Sequence, residues 1–242
     1  MASKLSRIIT NDASSGGAFS LSADGNSISY RRSFSAPSSR ERTQEIILKD
    51  LRTGNASVVA SGLDLSAPIF VASTVVYSTS SSMQYLSKVQ STGILSVMGI
   101  ENTKIVLNRD GLKVVFDPIK KGHYIWPSLS PDNESIVAYE MASGTFVCNV
   151  DGSGLVNLGR CDAPSWSHDG KWIVYMDDRD DGEKVISSDL IAVSPNGKQK
   201  VQLTFTNDAM EMNPQCSPIE NRIVCDTFDG KIHLLTYAEE VK

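Results

Sequence analysis

Histidine is scarce in this chain, with three among 242 residues, and aromatic residues make up only 7%. With only His123, His168 and His233, a metal or acid-base constellation would require convergence in space, which a sequence does not display. The four cysteines, Cys148, Cys161, Cys216 and Cys225, form no Cys-x-x-Cys pair, so the spacing of a structural zinc site is missing. They are expected to be buried free thiols or to form one or two disulfides. No Gly-x-Ser-x-Gly elbow and no Gly-x-x-x-x-Gly-Lys-[Ser/Thr] loop occurs, which removes the obvious acyl-transfer and nucleotide chemistries. The 23 basic residues against 28 acidic ones form no block able to track a phosphate backbone, so nucleic acid is not an expected partner. No apolar run approaches the roughly 18 residues of a membrane helix, and residues 1–6 lack the apolar centre of a signal peptide. No segment sustains a helical period either, and the chain is expected to be all β.

What is present is a repeat. Residues 19–30, 67–78, 104–117, 126–140, 163–178 and 213–226 each carry an apolar residue, a short polar turn, and an apolar run about seven positions on. The shared apolar position falls at Leu21, Phe70, Leu107, Leu129, Trp166 and Cys216, at intervals of 49, 37, 22, 37 and 50 residues. A four-stranded propeller blade takes roughly 40 residues, so four intervals fit one blade each, with insertions at 33–42 and 177–183. The short interval after Leu107 predicts a truncated blade. Most hairpins are followed by a second strand pair with its own turn, as at Asp151-Gly152 and Asn196-Gly197, where those residues tolerate positive φ. Residues 172–176, Trp-Ile-Val-Tyr-Met, are apolar throughout, as expected of a strand covered on both faces. The last unit lacks a fourth strand, while Leu5–Ala13 matches Val201–Ala209, the fourth strand of the preceding unit. An N-terminal strand at 5–10 is therefore expected to complete the last blade, close the ring and protect its sheet edges.

The stretch Pro164-Ser165-Trp166-Ser167-His168-Asp169-Gly170, with weaker copies at Pro127 and Pro214, resembles the Pro-x-Trp-Ser-Pro-Asp-Gly module of TolB-type six-bladed propellers with WD-repeat-like units. The resemblance covers nearly the whole chain and implies a six-bladed all-β propeller of four-stranded antiparallel blades. One blade is truncated, and residues 1–242 make a single domain. It implies a periplasmic or extracellular protein of the bacterial cell envelope, a monomer with loops at the channel mouth contacting partners. The additional α/β domain of TolB has no counterpart here.

Candidate sites follow from the loops that lead into the first strand of each unit. His123, Tyr124 and Trp126 stand together before one of them, and Met210, Glu211 and Asn213 before another, where aromatic and adaptable side chains could anchor a peptide or stack on a sugar. The bland alternative is that Tyr124 and Trp126 fill the space left by the missing strands. Asp178, Asp180 and Asp181, in an acidic hairpin around Gly182, are the residues for calcium if a cation binds; a solvated loop is the competing reading, since Arg179 breaks the EF-hand pattern. No other cofactor is expected. Cys216 and Cys225 occupy the slots of Trp166 and Tyr175 in the preceding unit, expected as neighbours across the ladder. His168 stands at the turn proline of the module and is read as structural. The functional expectation is a non-enzymatic binding or scaffold propeller that holds a protein partner or glycan at the channel mouth. The alternative is a glycan lyase or hydrolase using carboxylates such as Asp162, Asp208 and Glu211.

Overall fold

A computed structural model of the chain describes residues 10, 12, 19–22, 26–35, 41–71, 74–79, 83–85, 95–206, 210–227 and 232–238. Among them every regular element is a β-strand, and the strands form six antiparallel sheets in chain order. The first sheet runs β1 (Phe19–Leu21), β2 (Ser27–Ser35), β3 (Arg42–Asp50), β4 (Ala56–Gly62). The second has β5 (Ile69–Val71), β6 (Thr74–Ser78) and β7 (Met83–Tyr85), and the third β8 (Leu95–Glu101), β9 (Lys104–Arg109) and β10 (Leu112–Phe116). The fourth comprises β11 (Tyr124–Leu129), β12 (Ser135–Glu140), β13 (Gly144–Asn149) and β14 (Val156–Gly159). The fifth comprises β15 (Asp162–Trp166), β16 (Ile173–Asp180), β17 (Val185–Val193) and β18 (Lys200–Gln202). The sixth has β19 (Glu211–Cys216), β20 (Arg222–Thr227) and β21 (Ile232–Thr236). Two compact units result, Met1–Met98 with Leu107–Val114, and Gly99–Val106 with Val115–Lys242. The N-terminal strand expected at 5–10 lies outside the described residues.

The turns explain the repeated module. In the fifth sheet the Ser167 hydroxyl donates to Asp169 Oδ1 at 2.7 Å and accepts the Trp172 N–H at 3.0 Å, while Asp169 accepts the Lys171 N–H. Gly170 follows at φ 70°, where a side chain would be strained. Ser130 with Asp132, and Ser194 with Asn196, build the same turn in other hairpins. The two insertions lengthen β2–β3 and β16–β17, whose ladders continue to Ser35–Arg42 and Asp180–Val185.

Strand β16 accounts for its own composition. Ile173 and Tyr175 pack with Val137, Val147, Cys161 and Trp166 toward the fourth sheet. Val174 packs with Leu190, Ala192, Ile223 and Cys225 toward the sixth, joined by Trp172 and Met176. Alternation has not been lost; both faces are interior. The first unit repeats the arrangement where Ile46, Leu65 and Val75 meet, with Phe70 and Tyr77 against them.

Hydrogen bonds pin neighbouring sheets at both ends of the first strands. The Thr145 hydroxyl of β13 donates to the Cys161 carbonyl, and the Ser188 hydroxyl of β17 to the Glu211 carbonyl, both at 2.6 Å. In the first unit Gln44 of β3 accepts the Leu65 N–H at 2.7 Å. At the far end, Ser165 Oγ accepts the Cys216 N–H and Ser20 Oγ the Phe70 N–H, each at 3.0 Å. These buried and half-buried groups stay satisfied without a continuous ladder between sheets.

Two sequence expectations shift. Leu107 lies on the middle strand of the third sheet and not on its leading one, because β8 precedes it. The turn joining β8 to β9 is Asn102-Thr103, with φ 47° and 67°. Such a two-residue connection normally advertises itself with glycine, and threonine at positive φ hides it. The cysteines are free thiols. Cys216 stands opposite Ile223, and Cys225 falls opposite a bulge, although both pack in one apolar cluster.

Two outcomes follow for the fold. Ile173→Ala and Val174→Ala should each cost ~2–4 kcal/mol in urea unfolding although they point to opposite faces; a near-neutral result for either would mean that face is not interior. Burial pushes the Cys148 thiol up to about 12 and Cys161 up to about 11. All four thiols should titrate in denaturant without reductant, with Cys148 and Cys161 slow in the native protein.

Candidate binding site

Strands β11, β15 and β19 are the first strands, and each ends its sheet on one side. Each is also interrupted at the same place. The β11–β12 register shifts between Ile125 and Ser128, the β15–β16 register between Asp162 and Ser165, and the β19–β20 register between Met212 and Gln215. In every case two residues, the second a proline, face one. The residue before the proline is left-handed each time: Trp126 at φ 52°, Ala163 at 49° and Asn213 at 50°. None is glycine, so each conformation costs on the order of 1–3 kcal/mol and persists because the surrounding sheets impose it.

The three bulges line one cavity of about 590 Å³. Trp126 and Pro127 come from β11, Ala163 and Pro164 from β15, and Asn213 and Gln215 from β19; Pro131, His168 and Pro218 reach it from the hairpin turns. Among the described residues its lining contains no Asp, Glu, Lys or Arg. Trp126 is 40% exposed and holds Tyr139 edge-on, ring centres 5.7 Å apart. The Trp166 indole N–H donates to the Ser128 carbonyl at 3.4 Å, and His168 Nε2 lies 2.7 Å from Asn221 Oδ1. The Ser128 hydroxyl oxygen is buried with no hydrogen-bond partner among the described residues.

Of the six residues expected to bind a ligand, the structure thus brings Trp126 and Asn213 together and leaves the other four out of this lining. Tyr124 is packed inside, 2% exposed, edge-on to Phe146 at 5.8 Å. Its hydroxyl donates to Asp117 at 2.6 Å and accepts the Ile119 N–H, which places the ring in the interior. Glu211 is also 2% exposed, and its carboxylate accepts the Thr206 hydroxyl at 2.8 and 2.9 Å. The exposed His123 gives its N–H to Glu140, and Met210 precedes β19 half-buried. Sequence reasoning passed over Ser128, Pro127, Pro164 and Gln215, whose only signal was the recurring proline of the module.

The acidic residues are engaged elsewhere. Asp178 receives both oxygens' worth of hydrogen bonding from Arg160 at 3.0 Å, and Arg160 also holds Asp162 at 2.8 Å. Burial, with the neighbouring Asp178 carboxyl, pushes Asp162 upward against the pull of Arg160. Asp180 accepts the Gly182 N–H, and Asp181 accepts those of Glu183 and Lys184, which shapes the hairpin turn. No group of three His, Cys, Asp or Glu side chains converges as a metal would require, among the described residues. Asp208 lies outside those residues.

Beside the site, Asp117 anchors Tyr124. Burial opposes its ionisation, but hydrogen bonds from Tyr124, Lys104 and the Lys121 and Gly122 N–H groups prevail and hold the carboxyl well below its ordinary 3.8. The ion pair to Lys104 is 2.9 Å long. A depressed folded value means that this stability is present above the unfolded value and lost as pH falls toward the folded one. Asp117→Asn should therefore cost ~1–3 kcal/mol at neutral pH, with the gap from the parent narrowing below about pH 4 in urea titrations. A gap independent of pH would mean that the charge is not what anchors Tyr124.

No protein-family profile matches the chain, and no curated protein matches it by sequence. Its fold is similar to that of an oligogalacturonate lyase from Vibrio parahaemolyticus, at 14% identity and TM-score 0.50, over 94% of this chain and 67% of that one. A putative 6-phosphogluconolactonase from Bacteroides uniformis gives 13% identity and TM-score 0.52 over 91% and 80%. TolB from Acinetobacter baumannii gives 19% identity and TM-score 0.47 over 83% and 56%. The chain therefore spans about two thirds of the lyase and just over half of TolB. At such identities the likeness is one of fold: the protein is all β, its antiparallel sheets of the β-propeller class. Among the described residues no helix is long and apolar enough to cross a membrane.

Proposed function

We propose that this protein is a non-enzymatic binding module, a six-bladed propeller of TolB type that recognises a protein partner or glycan in the cavity at Trp126, Ala163 and Asn213. The observation that supports it is the uncharged lining, where proline, serine, amide and exposed tryptophan meet in a cavity of ligand size. Glycan cleavage by the alternative route needs a pair of available carboxylates. Glu211 is buried against Thr206, and Asp162 is paired with Arg160. The lyase and lactonase named among the structural neighbours share the fold at 13–14% identity, and propeller folds host unrelated activities. Residues 5–10 completing the sixth sheet, a single domain and an exported location belong to the same proposal, on the strength of the repeat and module.

Partner capture tests it. Mass spectrometry of proteins and glycans retained by the parent should reveal a species lost with Trp126→Ala and with Asn213→Ala, and kept with Asp178→Asn, which lies off the cavity. Retention by both cavity variants would sink the assignment. Turnover of oligogalacturonate that disappears in Asp162→Asn would transfer the case to the enzyme reading.

A further inference from the structure

We propose that the cavity at the three proline bulges receives a neutral glycan, a short run of uncharged sugar rings, and turns uronic acids away. The inference rests on reading the cavity as a binding site and names the chemistry it takes.

The polar side chains that line the cavity are of the kind that both donate and accept. Asn213 and Gln215 are exposed amides on β19, and Ser128 and Ser165 bring hydroxyls from β11 and β15. The Ser128 hydroxyl oxygen is buried with no hydrogen-bond partner among the described residues. Ser165 Oγ accepts the Cys216 N–H at 3.0 Å, and a hydroxyl that accepts keeps its own proton to give. A sugar hydroxyl has the same double character, so amides and serines can meet it in either sense. Trp126, 40% exposed, adds an aromatic surface for the apolar C–H face of a sugar ring. The volume of about 590 Å³ falls within the range of small-molecule pockets, roughly 300–1,000 Å³.

Refusal of acids follows from the same lining. Among the described residues no Lys or Arg stands in it to take a carboxylate, and His168 Nε2 is already 2.7 Å from Asn221 Oδ1. A carboxylate brought into this cavity would lose water without gaining a counter-charge. The formal net charge of -5 opposes a polyanion at long range as well. A peptide added as an extra strand is the other occupant that a terminal strand invites. Here the register of each first strand breaks at its bulge, and the proline there has no N–H to offer a ladder. A glycan needs no such regular run of backbone groups.

The test uses the full chain at about pH 8, where imidazole as a class is uncharged. The neutral probes are galactotriose, cellotriose, mannotriose and chitotriose; trigalacturonate is the acid counterpart of galactotriose, and a capped tetraserine stands for a peptide. Binding is followed by calorimetry. At least one neutral trisaccharide should bind ~10-fold more tightly than trigalacturonate and the tetraserine. Trp126→Ala should weaken that trisaccharide about 10-fold. Gln215→Arg, which sets a cation in the lining, should raise the affinity for trigalacturonate at least ~5-fold. Circular dichroism and native thiol reactivity of each variant certify the fold. Trigalacturonate or tetraserine bound as tightly as the best neutral sugar overturns the inference and leaves the cavity a binding site. So does a neutral sugar indifferent to Trp126→Ala, or trigalacturonate indifferent to Gln215→Arg. Silence from every glycan overturns it too: a protein captured by the parent and lost with Trp126→Ala then keeps the reading beneath it, and capture that also ignores Trp126 ends both.

Discussion

Burial of the fifth sheet on both faces is the constraint on which the second unit depends. An isolated antiparallel sheet can leave one face wet, and its strands then alternate. Here a strand such as β16 sends Ile173 and Tyr175 into one apolar cluster and Val174 into another. Polar residues gather toward the far end of the hairpin, where β16 continues as a ladder from Asp177 to Asp180. The same constraint governs the exceptions. Thr145 and Ser188 are polar and buried, and each spends its hydroxyl on a carbonyl at the start of the next sheet's first strand. A hydroxyl that satisfies a carbonyl across the gap holds neighbouring sheets in register where dispersion forces alone would let them slide.

This constraint also decides what the amino-acid sequence discloses. The repeat was legible because doubly buried strands leave long apolar runs and Ser-x-Asp-Gly turns leave a polar signature at a fixed offset. Strand β8 was not legible as the start of a sheet. Its turn uses Asn102-Thr103 at positive φ, a conformation that a threonine gives no reason to expect. With that turn hidden, Leu107 took the place of a first-strand residue and the third sheet was read one strand late. Insertions were visible as extra length, but whether extra length becomes a loop or a longer hairpin depends on pairing across the turn. Among the described residues, 33–35 with 42 and 177–180 are ladder.

The site was legible in part for a related reason. Trp126 and Asn213 were singled out as residues leading into first strands, and the fold brings them to one cavity. Tyr124 was grouped with Trp126 because both stand at the entry to one first strand, where neighbours spaced by two would share a face on a regular strand. A bulge between them breaks that parity: Tyr124 reaches Phe146 and Asp117 in the interior, while Trp126 stands partly in solvent. The bulge itself could not be seen. A residue before proline is expected to be extended, and Trp126, Ala163 and Asn213 share no side-chain property that would mark a left-handed backbone.

That lack of a shared side chain bears on how the cavity works. Three different residues adopt one unfavourable conformation, so the feature preserved across the three sheets is the path of the backbone. The strain at each bulge is offset by the two-sided packing around it, which fixes Ala138, Tyr175 and Cys225 opposite the kinks. Side chains at these positions differ, an aromatic ring, a methyl and an amide, because the constraint acts on the backbone path and not on the side chain.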